Sequence, residues 1–202
     1  SRLLANSHTT KAELVDRYRL DPERVDVTYL GNSLKRFANH PLPRPQPEPY
    51  VLSLGARGGY KNCLALWKAY AQSTRLREAA KLVCFGGGPF TPLEKRLLEE
   101  LRVADCVLQV SGTDELLASY YRNALAFVCP SRYEGFGIPL VEAMSFGCPI
   151  ACSTAGAIPE IAGPAAAYFD PQNPEMLAHV LETVIHDDSL RAKLQREMHT
   201  RE

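Results

Sequence analysis

Two glutamates, Glu134 and Glu142, flank a glycine turn that follows a short apolar run. Gly135 and Gly137 let a ligand approach the backbone closely, and Pro139 suits the first turn of a helix. Free amides at the start of a helix bind anions, among which phosphate is the commonest candidate. Carboxylates accept hydrogen bonds from hydroxyl groups. This spacing therefore suits a sugar nucleotide, with amides on the diphosphate and carboxylates on the hydroxyls.

The amides of this anion site would run from Phe136 to Ile138. The alternative is a tight turn between a strand and a helix. In that case Glu134 is solvated and Glu142 interacts only with the helix dipole. Taken alone, a Gly-x-Gly turn favours this structural alternative.

A second group of candidate residues lies in LGARGGYKN, residues 54–62, which follows another apolar run. Arg57 and Lys61 would place two cations at the same edge of the fold. There they could neutralise a departing nucleoside diphosphate as charge builds on it. The alternative is a solvated basic loop. The phosphate role is favoured because the same sequence also contains the turn with Glu134 and Glu142.

Composition indicates a globular protein whose anion site must be local. The chain has 202 residues, 46% of them hydrophobic, and 23 basic residues balance 23 acidic ones. A zero net charge provides no overall field that would attract nucleic acid or an anionic membrane. Six cysteines without a CxxC pair indicate buried thiols in a reducing compartment rather than a disulfide framework or a zinc site. With no transmembrane-length run and no signal peptide, we interpret the chain as cytoplasmic.

Short apolar runs alternate with helix-period segments along the chain, which predicts an α/β fold. After residue 49 the apolar runs are YVLSLG, KLVCFG, CVLQV, LAFVCP, PIACS and AAAYF. They show no polar alternation, as expected for parallel strands that are covered on both faces. We therefore predict a doubly wound, Rossmann-like parallel sheet of about six strands, with its ligand loops at the carboxyl ends of the strands.

The segment PLPRPQPEP has proline at every second position and is the best domain boundary in the sequence. It separates a short β-α-β segment, residues 1–40, from the larger unit, residues 50–202. Residues 41–49 are the linker. The expected elements of the first segment are a helix from about 9 to 19 and a strand at 25–30.

Two further loops after predicted strands carry less specific signals. FGGGPF, residues 85–90, lacks the third glycine of a dinucleotide-binding fingerprint, because Thr91 stands in that place, so we interpret it as a turn. In VLQVSGTDELL, Thr113 or Ser111 can cap a helix whose first turn is acidic.

The stretch EGFGIPLVEAMSFGCPI resembles the signature of retaining nucleotide-sugar glycosyltransferases of the GT-B fold, of the group 1 or family 4 type. In that family two glutamates are separated by seven residues, as Glu134 and Glu142 are here. The similarity extends from ANSHTTKAEL to DPQNPEMLAHVLETVI, which makes it far more specific than one motif. It implies that the chain is the carboxyl-terminal, donor-binding half of a GT-B fold, preceded by a remnant of the amino-terminal acceptor domain.

The resemblance also implies roles for individual residues. Glu134 would contact sugar hydroxyls and Glu142 the ribose, while the amides of residues 135–137 would bind the sugar and the diphosphate. Lys61 would neutralise the diphosphate. Arg57 would assist, although it departs from the pattern by one residue, because the family arginine falls on Ala56.

The nucleotide base would lie beside Val110 and Ser111, held by their backbone groups. Backbone contacts do not identify a base, so UDP, GDP and ADP sugars all remain open as donors. The resemblance implies no cofactor, and without a DxD pair it implies no metal.

These implications together predict a retaining hexosyltransferase of polysaccharide biosynthesis. Its acceptor would be a glycan, a lipid or a small molecule bound by the rest of the amino-terminal domain, and the parent enzyme would lie at most peripherally on a membrane. We expect the isolated chain to be inactive without that domain. The alternatives are a module that binds a nucleotide sugar without transferring it, and a nucleotide-sugar epimerase.

Overall fold

The computed structural model describes residues 2–199 and begins with a small βαβ unit. This unit consists of β1 (Leu3–Ala5), α1 (His8–Tyr18) and β2 (Val25–Val27), with the two strands parallel. The predicted helix is confirmed, but the predicted strand at 25–30 is three residues too long. β2 ends early because its partner, β1, ends at Ala5.

The larger unit contains a six-stranded parallel sheet, which confirms the predicted fold class. Its strands are β3 (Tyr50–Leu54), β4 (Lys81–Phe85), β5 (Val107–Val110), β6 (Ala126–Cys129), β7 (Ile150–Ser153) and β8 (Ala166–Phe169). Their order in the sheet is β5-β4-β3-β6-β7-β8. The direction of winding therefore reverses between β3 and β6, which are central strands. In such sheets, ligands bind at this reversal, beyond the carboxyl ends of the strands.

Eight helices follow the strands within the described part of the larger unit. They are α2 (Cys63–Gln72), α3 (Thr74–Ala79), α4 (Pro92–Glu100), α5 (Asp114–Asn123), α6 (Ile138–Ser145), α7 (Ile158–Ala162), α8 (Pro174–His186) and α9 (Asp188–His199). The sequence did not predict α3, which is one short helix capped by Ser73. Residues 1 and 200–202, which the predicted ranges 1–40 and 50–202 include, lie outside the described residues. Between residues 2 and 199, no helix combines the length and apolar character needed to cross a bilayer.

The core follows from the apolar composition of the central strands. All four residues of β6 and all four of β7 are buried, as expected for strands covered on both faces. The six cysteines are all free thiols, and five of them are buried. Burial raises the pKa of Cys129 to about 11, so this thiol at the end of β6 stays protonated at neutral pH.

Glu160 attaches the small βαβ unit to the larger one. Its carboxylate accepts from the backbone amides of His8 and Thr9, at 2.7 and 2.8 Å, and from the hydroxyl of Tyr29 at 2.9 Å. These amides belong to the first turn of α1 and have no partner within the helix. Burial would raise the pKa of Glu160, but the donated hydrogen bonds outweigh it and lower this pKa to about 2.

Candidate functional site

The loop after β3 and the loop after β6 meet at the carboxyl edge of the sheet. The amide of Arg132 donates to the carbonyl of Tyr60 at 2.7 Å. The side chain of Asn62 donates to the carbonyl of Pro130 at 3.0 Å and to that of Pro171 at 2.9 Å. Asn62 is buried and has a φ of 58°, a left-handed conformation that asparagine tolerates better than most residues. The loops that carry the predicted site residues are thus fixed to one another.

Lys61 and Glu134 form an ion pair where these loops meet. Lys61 Nζ lies 2.8 Å from Glu134 Oε1, and the hydroxyl of Ser131 donates to the same oxygen at 2.7 Å. Burial would lower the pKa of Lys61, but the hydrogen bond and charge of Glu134 outweigh it and raise this pKa. Lys61 is therefore a fixed cation at neutral pH, with 21% of its side chain still exposed.

The turn between β6 and α6 presents unpaired amides. Among residues 2–199, no protein acceptor pairs with the amides of Gly135, Phe136 or Gly137. Gly137 has a φ of 92° and directly precedes α6, whose first residue is Ile138. The helix dipole adds positive potential at this end. The turn can therefore hold an anion beside Lys61.

The turn is held from behind by the loop that follows β7. The amide of Ala157 donates to the carbonyl of Glu134 at 2.8 Å. A Cβ atom on Gly156 would lie 2.4 Å from the same carbonyl oxygen, so only glycine fits there. Gly156 and Asn62 are site-supporting residues that sequence reasoning missed. Their only signals were a glycine after a strand and an asparagine before a helix.

Glu142 is buried inside α6, one turn beyond the amides. The hydroxyl of Tyr121, a fully buried residue of α5, donates to Glu142 Oε2 at 2.9 Å. Burial raises the pKa of Glu142, and the bond from Tyr121 offsets only part of that effect. One carboxylate oxygen is therefore held by Tyr121, which leaves the other to accept from a ligand hydroxyl.

Arg57 faces a different loop from Lys61. Its Nε and one Nη atom donate to the two carboxylate oxygens of Glu94, and its remaining N–H groups meet the carbonyls of Gly86, Gly88 and Pro89 at 3.0 to 3.1 Å. All five donors of the guanidinium are thus engaged. Only 5% of the side chain is exposed. A contact from Arg57 to a phosphate would require one of these bonds to break.

β5 ends at Val110, and Ser111 follows it directly. β5 lies two strands away from β3, whose following loop carries Lys61. Val110 is partly buried and packs against the core, and Ser111 is exposed. The side chain of Gln109 donates to the hydroxyl of Ser111 at 2.8 Å and approaches the carbonyl of Gly86 at 3.4 Å. Ser111 thus lies next to the glycine loop that Arg57 holds, on the same edge of the sheet as Lys61.

A groove of about 650 Å³ lies away from the loops described above, near the residues that lead into β7. Arg122 lines this groove, but its guanidinium donates to the carbonyls of Phe37, Ala38 and His40. Pro149 and Gly147 also line the groove, which places it at the amino ends of the strands. In open α/β sheets, ligands bind at the opposite edge. Among residues 2–199, no group of three or more His, Cys, Asp or Glu side chains is arranged to hold a metal ion.

Comparison with known sequences gives a family match over most of the chain. The family model "Glycosyl transferases group 1" matches residues 35–201. The chain is 32% identical over 203 residues to the O-antigen chain mannosyltransferase B of Escherichia coli, covering 94% of this chain and 52% of that protein. It is 34% identical over 163 residues to the MMP alpha-(1->4)-mannosyltransferase of Mycolicibacterium hassiacum, covering 80% of this chain and 39% of that one.

The fold also matches that of a solved structure. A sucrose-phosphate synthase from Thermosynechococcus elongatus superimposes with a TM-score of 0.77 at 26% identity, over 98% of this chain and 52% of that one. The chain spans about half the length of the curated relatives it matches. Since the family model covers well over half of its residues, the chain belongs to the group 1 glycosyltransferase family and has the fold of the GT-B enzymes.

Proposed function

We propose that the chain is the donor-binding part of a retaining glycosyltransferase that transfers a hexose from a nucleotide sugar. The observation that carries this proposal is the position of Lys61 beside the unpaired amides of residues 135–137. A diphosphate placed there receives a fixed cation and backbone donors together. Two relatives are named as mannosyltransferases, which favours a mannosyl donor. The base stays open between UDP, GDP and ADP.

Each site residue has a distinct role in this proposal. Lys61 and the amides stabilise the diphosphate as its bond to the sugar breaks and negative charge develops on it. Glu134 orients the sugar hydroxyls, and the free oxygen of Glu142 accepts from the ribose. Because Glu94 balances its charge, Arg57 serves chiefly to fix the loop at 86–89 beside the donor. Val110 and Ser111 border the base.

Retention of configuration would follow from front-face displacement. The acceptor oxygen bonds to the anomeric carbon on the face from which the diphosphate leaves, and the acceptor proton passes to the departing phosphate oxygen. The contacts of Glu134 support an orienting role rather than that of a nucleophile, since one of its oxygens is bound by both Lys61 and Ser131. No metal is required when a cation and backbone amides hold the diphosphate.

The proposed activity belongs to a whole enzyme that includes an acceptor site. This enzyme would be located in the cytoplasm or bound peripherally to a membrane. The acceptor would be a glycan, a lipid or a small molecule. A second candidate, binding of a nucleotide sugar without transfer, is favoured for this chain alone because it spans about half of its relatives. An epimerase is the remaining alternative and would convert a nucleotide sugar without any acceptor.

Calorimetry on the 202-residue chain tests the donor site directly. UDP, GDP, ADP and their hexose derivatives are titrated into the chain, and at least one nucleotide should bind. Absence of binding by all of them would remove the proposal. Release of nucleoside diphosphate from a bound donor, with and without simple acceptors, then distinguishes transfer from binding alone.

A further inference from the structure

The carbonyl of Gly135 is held by two hydroxyl groups from the small βαβ unit. The hydroxyl of Ser7 donates to this oxygen at 2.7 Å, and that of Thr10 donates at 3.0 Å. Ser7 is fully buried. The two residues precede Gly135 by more than a hundred positions, so these bonds form only when α1 lies against the turn. The two hydroxyl oxygens also lie 2.9 Å from each other, so they form one cluster with the carbonyl. When both hydroxyl protons point to the carbonyl, both of its acceptor positions are occupied.

Fixing this carbonyl also fixes the next amide. In a trans peptide, the C=O of one residue and the N–H of the next point in opposite directions. The described residues contain no cis peptide bond. The N–H of Phe136 therefore points away from Ser7 and Thr10, and among residues 2–199 it meets no acceptor.

The ring of Phe136 is held by the same unit. It packs against Tyr29 with a centroid separation of 5.8 Å, and only 5% of Phe136 is exposed. Rotation of the peptide between Gly135 and Phe136 would break both hydroxyl contacts and disturb this aromatic contact. The orientation of the amide thus depends on residues outside the six-stranded unit.

We propose that Ser7 and Thr10 are positioning residues of the donor site, which aim the Phe136 amide at the diphosphate of a bound nucleotide. This inference rests on the proposed function. It assigns the residues before the proline-rich segment a role in donor binding: they set the direction of a hydrogen-bond donor without touching the ligand. Preorganised donors bind more tightly than donors that must first reorient.

Thr10 is the better residue for a test, because Ser7 has a second task. The Ser7 side chain also accepts from the Thr10 amide as the N-cap of α1, so its removal would weaken the helix. Thr10→Val keeps the shape of the side chain and removes the donor. Thr10→Ser keeps the donor and removes a methyl group. Thr10→Ala is a second variant without the donor, for use if valine prevents folding.

The measurement is the affinity of each variant for the nucleoside diphosphate, UDP, GDP or ADP, that binds the wild-type chain. We expect Thr10→Val and Thr10→Ala to bind it about threefold to tenfold more weakly. This is less than the loss of a whole hydrogen bond to a charged group, because Ser7 still donates to the carbonyl. Thr10→Ser should restore nearly the wild-type affinity. In nitrogen-proton correlation spectra, the Phe136 amide should shift on addition of the nucleotide in the wild type and in Thr10→Ser. This shift should be smaller in Thr10→Val.

Two outcomes would contradict the inference in different ways. If the wild type binds a nucleotide and Thr10→Val, Thr10→Ala and Thr10→Ser match it in affinity and in the Phe136 response, the positioning role is wrong and the donor site stands. If the wild type binds none of the three nucleotides, the proposed function is wrong, and this inference fails with it.

Discussion

The hydroxyl of Tyr121 donates to Oε2 of Glu142 over 2.9 Å, and this bond joins α5 to α6 within the core. The pKa of Tyr121 is raised well above its usual value by burial and by the neighbouring carboxylate, so its proton remains available for donation. The tyrosine holds one oxygen of a carboxylate whose other oxygen we assign to the ribose. The bond from Tyr121 favours the charged form of Glu142, which burial disfavours.

Glu142→Gln should bind nucleotide more weakly yet unfold at a higher temperature at pH 7. Burial raises the pKa of Glu142 above its usual value of 4.5, so the folded chain binds this proton more readily than the unfolded chain. The contribution of this group to stability is greatest below 4.5 and decreases as the pH rises through the raised pKa. Thermal midpoints at pH 4 and pH 7 should show a larger gain for the variant at pH 7. If Glu142→Gln had the same thermal midpoint as the wild type at pH 4 and at pH 7, the raised pKa of Glu142 would have no effect on stability and this prediction would be wrong.

Lys61→Ala should reduce affinity for a nucleoside diphosphate by about tenfold or more, because a charge-assisted hydrogen bond to phosphate is lost. Its affinity for the corresponding nucleoside should change little. Lys95→Ala, at an exposed position of α4, is the matched control. Calorimetry with both ligands checks the result, and an unchanged diphosphate affinity in Lys61→Ala would remove Lys61 from the site.

Arg57→Ala should lower the free energy of unfolding by about 2 kcal/mol, because Glu94 and three carbonyls lose a nearly buried partner. Arg57→Lys should destabilise the chain almost as much, since one ammonium group cannot replace the five donors of the guanidinium. Denaturant unfolding measures both variants, with the exposed Arg96→Ala as control. If Arg57→Lys retained full stability and affinity, charge alone would be the important property, as the sequence prediction supposes.

Glu160→Gln should loosen the small βαβ unit at neutral pH. The pKa of Glu160 is lowered to about 2 from a usual value of 4.5. Its contribution to stability is therefore fully present above 4.5 and is lost as the pH falls towards 2. The difference in thermal midpoint between wild type and variant should narrow over that window. Limited proteolysis at pH 7 should cleave residues 2–30 faster in Glu160→Gln than in Glu99→Gln, which changes an exposed position of α4. Equal cleavage rates would argue against the attachment.

The sequence predicted the fold well because the strands are uninterrupted apolar runs and the helices have clear starts. Reading the loops after each run was enough to place Lys61 and Glu134 at one edge of the sheet. Their contact depends on the neighbouring positions of β3 and β6 in the sheet, which the sequence analysis did not predict.

Sequence reasoning could not assign the direction of each side chain. Arg57 and Lys61 are four residues apart in one loop, yet Arg57 turns towards β4 and Lys61 towards β6. That division depends on loop conformation, which periodicity does not encode. The partner of Glu142 was missed for a similar reason, since Tyr121 looks like any other core aromatic in a helix. Polar contacts between distant segments, such as Ser7 with Gly135, leave no local pattern.

The pairing of β3 with β6 has a consequence for the order of folding. These strands meet through Val51 with Ala126 and Leu52 with Phe127, whereas β4 and β5 are joined by a much shorter connection. Closing the longer loop costs more chain entropy than joining β4 to β5. In a partly unfolded chain that pairs β3, β4 and β5 without β6, Lys61 lacks Glu134 and the turn that follows β6. A nucleotide that contacts both Lys61 and this turn therefore stabilises only those states in which both halves of the sheet are present.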